Sequence, residues 1–316
     1  MTDFLVPAPV LLPMLGAAVS ISLGRWRRAQ QVLGVAVLSA VVACTTALLV
    51  AVDTDGRAVV QAGDWPAPIG ITLVVDRFAA VMLLVAAVML LGVLVYAIGQ
   101  GGAERRHVGF HPVYLVLAAG VSAAFITGDL FNLFVSFEIM LTASYVLLTL
   151  GGRRAQVRAG MTYIVISLVA SALFLTALGF IYASTGTVNL ADLSVAMAEL
   201  PDGLRDALVL FLLGVFGIKA AIFPLFFWLP DSYPTAPTAV TAIFAGLLTK
   251  VGVYAIIRTQ TLLVTPDDRT GTLLLWIAAA TMVVGVLGAI AQNDIKRILS
   301  FHIVSQIGYM ILGLAL

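Results

Sequence analysis

Of the 316 residues, 61% are hydrophobic and 10% charged, and the formal net charge is +1. That balance leaves too little polar surface for a water-soluble domain, and a total near neutrality gives no electrostatic footprint for nucleic acid. Cys44 is the single cysteine, which excludes an internal disulfide and a thiolate metal or iron–sulfur cluster; His107, His111 and His302 offer no paired haem ligands, and no glycine-rich phosphate loop is present, so no cofactor is expected.

Apolar runs of about twenty residues recur along the chain, each long enough to cross a hydrocarbon core of about 30 Å. They predict an all-α polytopic membrane protein with about ten transmembrane helices, at 4–24, 31–52, 76–98, 112–127, 130–150, 159–183, 206–229, 237–259, 271–291 and 296–316. The N-terminal MTDFLVPAPVLLPMLGAAV has no basic residue before its apolar run and holds Pro7, Pro9 and Pro13, so it reads as the first helix and not as a cleavable signal. Between the second and third helices, GRAVVQAGDWPAPIGITLVVDRF alternates β-branched residues around a Gly-Asp-Trp-Pro turn and predicts a short extracytoplasmic hairpin. His107 and His111 read as loop residues. The last run, GYMILGLAL, stops without a charged flank, and a natural chain is expected to continue beyond it.

One set of alternate loops holds Arg25, Arg27, Arg28, Arg105, Arg106, Arg153, Arg154, Arg158, Lys296 and Arg297. The opposite set holds Arg57, Arg77, Arg205, Arg258 and Arg269 beside acids such as Asp53, Asp192, Asp202, Asp267 and Asp268. Lys and Arg are retained on the cytoplasmic side, so ten against five places the N-terminus outside a bacterial inner or plasma membrane.

Lys219 and Lys250 belong to neither set, because both fall deep within apolar helices, about 20 Å from their starts. Glu138, in DLFNLFVSFEIMLTASY, lies about 12 Å below the outer end of the fifth helix. An ionisable side chain at such depth costs several kcal/mol unless it faces a partner or a wet cavity. A glutamate near buried lysines can switch protonation when a neighbouring charge moves, which suits a proton relay; the alternative is a static ion pair that locks helices together.

Downstream of Lys219, Pro224 and then LPDSYPTAP with Pro230 interrupt the backbone ladder, giving either a broken helix that lines an ion path or a simple kink. His302 is a further relay candidate or an interfacial hydrogen-bonded histidine. Asp129, Thr142, Ser144 and Thr249 are candidates for lining the path, although Ser and Thr also serve ordinary helix packing.

At FNLFVSFEIMLTASYVLLTLGG, GIKAAIFPLFFWLPDSYPTAPTAVTAIFAGLLTKVGVYAIIR and NDIKRILSFHIVSQIGYMILG the sequence resembles the proton-conducting antiporter-like family. That family includes Mrp-type sodium/proton antiporter subunits and the large pumping subunits of respiratory complex I, and the wording here looks most like the D-type subunits of Mrp assemblies. The resemblance implies a fourteen-helix fold with two inverted five-helix repeats. Residues 1–110 would hold helices one to three, 111–260 a complete first repeat with broken helix seven, and 261–316 the start of a truncated second repeat. It also implies that Glu138, Lys219 and Lys250 form one proton half-channel and relay.

The function expected from residues and resemblance together is a proton-translocating subunit of a multisubunit monovalent cation (sodium)/proton antiporter, partnered by other membrane subunits and embedded in lipid, and not itself an enzyme. The alternative is a proton-pumping membrane subunit of NADH-quinone oxidoreductase or a related membrane hydrogenase. A structural subunit with fixed Glu–Lys pairs is the rival from another class.

Overall fold

The computed structural model describes residues 2–102, 104, 107, 109–264 and 268–316, without the side chains of residues 2, 3 and 268. Arg105, Arg106 and Asp267 of the loop-charge count, and the side chain of Asp268, lie outside the described residues. The described residues are helical apart from one small hairpin and the connecting turns. A one-turn helix, Thr2–Leu5, precedes α1 (Ala8–Ser22), α2 (Arg27–Asp55), α3 (Arg77–Gln100), α4 (Phe110–Ile126) and α5 (Leu130–Thr149). Then come α6 (Arg154–Thr185), α7 (Asp202–Ala220), α8 (Thr238–Leu263), α9 (Asp268–Ile290) and α10 (Ile295–Ala315).

Among the described residues, seven helices are long and apolar enough to cross a membrane: α2, α3, α5, α6, α8, α9 from Arg269, and α10. α1 and α4 are shorter apolar helices. Aspartates fix several starts by accepting the orphan amides of a first turn. Asp76 accepts from Ala79 N at 2.8 Å, Asp129 from Asn132 N at 2.8 Å and Asp294 from Arg297 N at 2.9 Å.

The chain divides into two compact units, Met1–Gly151 with Pro237–Ile243, and Gly152–Ala236 with Phe244–Leu316. In the first, α1 packs on α4, α2 on α3, and α4 on α5. Small residues permit close approach, which is how apolar helices gain packing energy where lipid is as apolar as they are. A Cβ at Gly16 would lie 2.9 Å from Val37 Cγ2, and one at Gly120 would lie 2.9 Å from Met140 Cγ. Tyr114, fully buried on α4, donates its hydroxyl to the Leu90 carbonyl at 2.6 Å. Strands β1 (Ala58–Gln61) and β2 (Thr72–Val75) pair antiparallel, with Val59 opposite Val74. The Gly128 amide donates to Thr72 O at 2.8 Å, which ties this hairpin to the turn before α5.

His111 departs from its expected place in a loop. It is the second residue of α4 and is buried, because the helix begins at Phe110 and turns that face against its neighbours.

In the second unit α9 and α10 run in backbone contact, since a Cβ at Gly285 would lie 2.5 Å from Ser305 N and one at Gly308 would lie 2.8 Å from Met282 N. α7 packs on α6, where Phe174 and Phe216 meet edge to face at 4.9 Å, and on the second half of α8.

Candidate functional site

α7 ends where the prolines demand it. Pro224 would set its ring against the carbonyl four residues earlier, that of Ala220, and Ala220 is the last helical residue. Ala221 then adopts φ 61° and ψ 47°, a left-handed conformation that costs a residue with a Cβ. The expected helix over 206–229 therefore stops at Ala220, and Pro230 lies in a separate short helix, Trp228–Ser232.

A break inside a membrane leaves backbone groups that only protein or water can satisfy. Here side chains do so. Trp228 Nε1 donates to Ile218 O at 3.1 Å, the Phe223 amide donates to Thr281 Oγ1 at 3.0 Å, and Gln156 Nε2 donates to Thr235 O at 3.2 Å. Lys296 Nζ reaches Ala236 O at 3.0 Å and Pro234 O at 3.4 Å, and Arg297 pairs with Asp231 at 3.0 Å. The DSYPTAP segment is thus held by the first turn of α10.

Lys219 stands on the last turn of α7, half-buried, with its ammonium donating to Ser171 Oγ at 3.1 Å and Ser167 O at 3.3 Å on α6. Lys250, also half-buried, donates to Ala245 O at 2.8 Å. That carbonyl belongs to a π-helical turn, Phe244–Leu248, inside α8. Wider π turns of this kind concentrate at functional sites.

The two lysine-bearing helices touch at backbone level, for a Cβ at Gly252 would lie 2.6 Å from Ala220 N and 2.9 Å from Lys219 C. Beside them, Thr249 is fully buried with no partner for its hydroxyl, and the Ser232 hydroxyl is likewise buried and unpartnered. Orphaned buried hydroxyls are the groups that ordered waters satisfy.

Glu138 belongs to the first unit, on α5, half-buried, one turn before the buried residues Leu141 and Ala143. Asp129 is buried at the start of the same helix, where its carboxylate is engaged as the N-cap and Thr127 Oγ1 donates to its carbonyl at 3.0 Å. Burial raises the Asp129 pKa above the ordinary carboxylate value, and hydrogen bonds from the Asn132 and Phe131 amides partly offset that. Of the other candidates, Thr142 is exposed, Ser144 is buried and donates to Leu141 O at 3.0 Å, and His302 is exposed on α10.

The structure thus brings Lys219 and the start of α8's second half together within one unit and gives each lysine a neutral oxygen. Sequence reasoning missed Ser167 and Ser171, whose i, i+4 spacing marks one polar stripe on α6, and Gly252, two residues after Lys250.

Residues 127–316 match the family model described as NADH:quinone oxidoreductase/Mrp antiporter, TM. The chain is 45% identical over 314 residues to the D-type subunit of the Na(+)/H(+) antiporter of Alkalihalophilus pseudofirmus, and 40% identical over 317 residues to that of Bacillus subtilis. Each match covers 99% or 100% of this chain and 64% of the relative, so the chain spans a little under two thirds of their length. Among solved structures, it is similar to a chain of the Mrp complex from Dietzia sp. DQ12-45-1b, with TM-score 0.94, 35% identity, and coverage of 100% of this chain and 59% of that one. It is also similar to a chain of an archaeal respiratory membrane complex, the membrane-bound sulfane sulfur reductase, with TM-score 0.88, 28% identity, and coverage of 98% and 64%.

Proposed function

The chain belongs to the NADH:quinone oxidoreductase/Mrp antiporter membrane family, and we propose that it is a proton-translocating subunit of a multisubunit monovalent cation/proton antiporter of a bacterial inner membrane. Glu138, Lys219 and Lys250 relay the proton in this reading. Other membrane subunits complete the assembly and handle sodium, and α1, α4 and α7 join the seven longer helices as crossings, with the N-terminus outside. Residues 111–260 form the first repeat and 261–316 open the second.

The seat of Lys219 is the observation that carries this reading. Its ammonium rests on the Ser171 hydroxyl at 3.1 Å. A serine hydroxyl accepts from a charged ammonium and donates to a neutral amine with the same heavy-atom geometry. The seat therefore serves both protonation states, as a relay requires. A charge that approaches or leaves shifts the balance between those states, and the broken backbone beside it is the usual setting for an ion path at membrane depth. The 35% identity to the Mrp chain, against 28% to the archaeal respiratory one, supports the antiporter reading over a redox-driven pump.

The test is sodium-driven proton exit from everted vesicles of antiporter-deficient cells that carry the complete complex with the full-length subunit. Sodium addition is expected to collapse the pH gradient, and to fail to do so when this subunit alone is omitted. Sodium-insensitive vesicles that acidify only with a redox substrate would overturn the reading in favour of a pump.

A further inference from the structure

Two buried ionisable side chains of the first unit have no part in the proposed relay. His111 Nε2 and Glu104 Oε1 lie 2.8 Å apart, with side-chain exposures of 2% and 1%. Gln31 on α2 donates its Nε2 to the same carboxylate oxygen at 2.7 Å. The remaining atoms, Glu104 Oε2 and His111 Nδ1, are both buried and have no hydrogen-bond partner. One turn beyond Gln31, Gly34 presents no side chain to the ring, and a Cβ there would lie 3.6 Å from Nδ1.

In a structural histidine the second ring nitrogen is normally fixed by a carbonyl or carboxylate, which sets the tautomer. Nothing fixes it here. With a carboxylate and a neutral imidazole, Nε2–H donates to Glu104 and Nδ1 is a vacant acceptor. With one more proton, Nδ1 carries it and the couple becomes an imidazolium–carboxylate pair with the same heavy atoms in the same places. Leaving a buried polar atom unpaired costs about 1–3 kcal/mol, so Oε2 and Nδ1 are groups that an ordered water would satisfy; at Nδ1 such a water would donate to the neutral ring and accept from it once a proton is bound. A proton fits, because the couple offers only one oxygen and one nitrogen, too few for a metal ion's shell.

We infer that the Glu104–His111 couple is a second proton-binding site, which takes one proton from water onto His111 Nδ1 and returns it to water, at the end of the first unit that carries the Arg25–Arg28 loop. Among the described residues, other charged or titratable groups around it are few. On α2, Arg27 and Arg28 stand one turn before Gln31 and are exposed, and on α3 Tyr96 is exposed. On α4, Tyr114 is committed to Leu90 O; α5 offers Tyr145, α1 has no titratable side chain, and His107 is half-exposed on the connection. The site goes beyond the relay reading and rests on it only for the use made of the proton.

The experiment is pH-difference infrared spectroscopy of the purified, full-length complex, comparing wild type with His111→Asn, Glu104→Gln and Glu138→Gln at matched assembly. Wild type and Glu138→Gln are expected to show the same imidazole protonation signal, and both couple variants to lack its His111 component. Persistence of that signal in a flux-dead Glu138→Gln complex separates this site from the relay. Difference spectra of His111→Asn and Glu104→Gln that superimpose on wild type would overturn the inference. Should either variant fail to assemble, Gln31→Leu keeps both partners and removes a donor to the carboxylate. It is expected to displace the midpoint of the imidazole signal, and an unmoved midpoint would equally overturn the inference.

Discussion

Gly252 and Ala220 meet at backbone distance: a Cβ on the glycine would stand 2.6 Å from the alanine amide nitrogen. The end of α7, with Lys219, and the helix that carries Lys250 are therefore held together by the absence of a side chain. Gly252→Ala forces the helices apart, since the obstructing atoms are backbone and cannot rotate away. The expected cost is about 1–3 kcal/mol, as for other overpacked interiors, with a larger loss for Gly252→Leu. Thermal unfolding of the purified complex measures it, and flux per assembled complex is expected to fall with it.

Ser171 is the hydroxyl half of the Lys219 seat. Ser171→Ala removes a hydrogen bond worth about 1 kcal/mol net, or roughly fivefold in an equilibrium. Because the serine serves both protonation states of the lysine, proton flux is expected to fall several-fold while assembly is retained. Ser171→Thr keeps the hydroxyl and is expected to restore most of the flux.

Ala221 closes α7 at φ 61°, where a Cβ is strained by about 1–2 kcal/mol. Ala221→Gly relieves that strain and is expected to raise the melting temperature of the complex, while Ala221→Val is expected to lower it. Differential scanning fluorimetry of the two variants checks both signs.

Asp129 gives a pH dependence. Burial raises its folded pKa above the ordinary 3.8, so the folded chain holds that proton more tightly than the unfolded chain does. The resulting stability is fully present below the unfolded value and is lost as pH rises through the folded one. Asp129→Asn retains an amide oxygen to accept from Asn132 N and removes the titration. Relative to wild type, its melting temperature is expected to fall less steeply as pH rises from about 4.

The helical character of the chain and its seven longest apolar helices were legible because apolar runs long enough for a bilayer are an unambiguous signal. The break was legible as a region but not as a position. Pro224 drew attention to the right stretch, yet its effect falls four residues upstream, at Ala220. The seat of Lys219 on Ser167 and Ser171 was not legible, since those serines lie about fifty residues earlier and only the packing of α6 on α7 brings them together. The π turn beneath Lys250 has no local sequence signature in FAGLL. His111 reads as a loop residue because it follows a charged, glycine-containing stretch; the turn of α4 that buries it is decided by tertiary packing.

The central claim is that Glu138, Lys219 and Lys250 carry the proton. Its most direct test is sodium-dependent proton flux in everted vesicles containing the full-length subunit in its complex, with Glu138→Ala and Lys219→Ala compared with wild type at equal assembly. The relay predicts that flux is lost in both variants while the complex stays intact. Normal flux in both would contradict it and leave the buried charges as structural pairs.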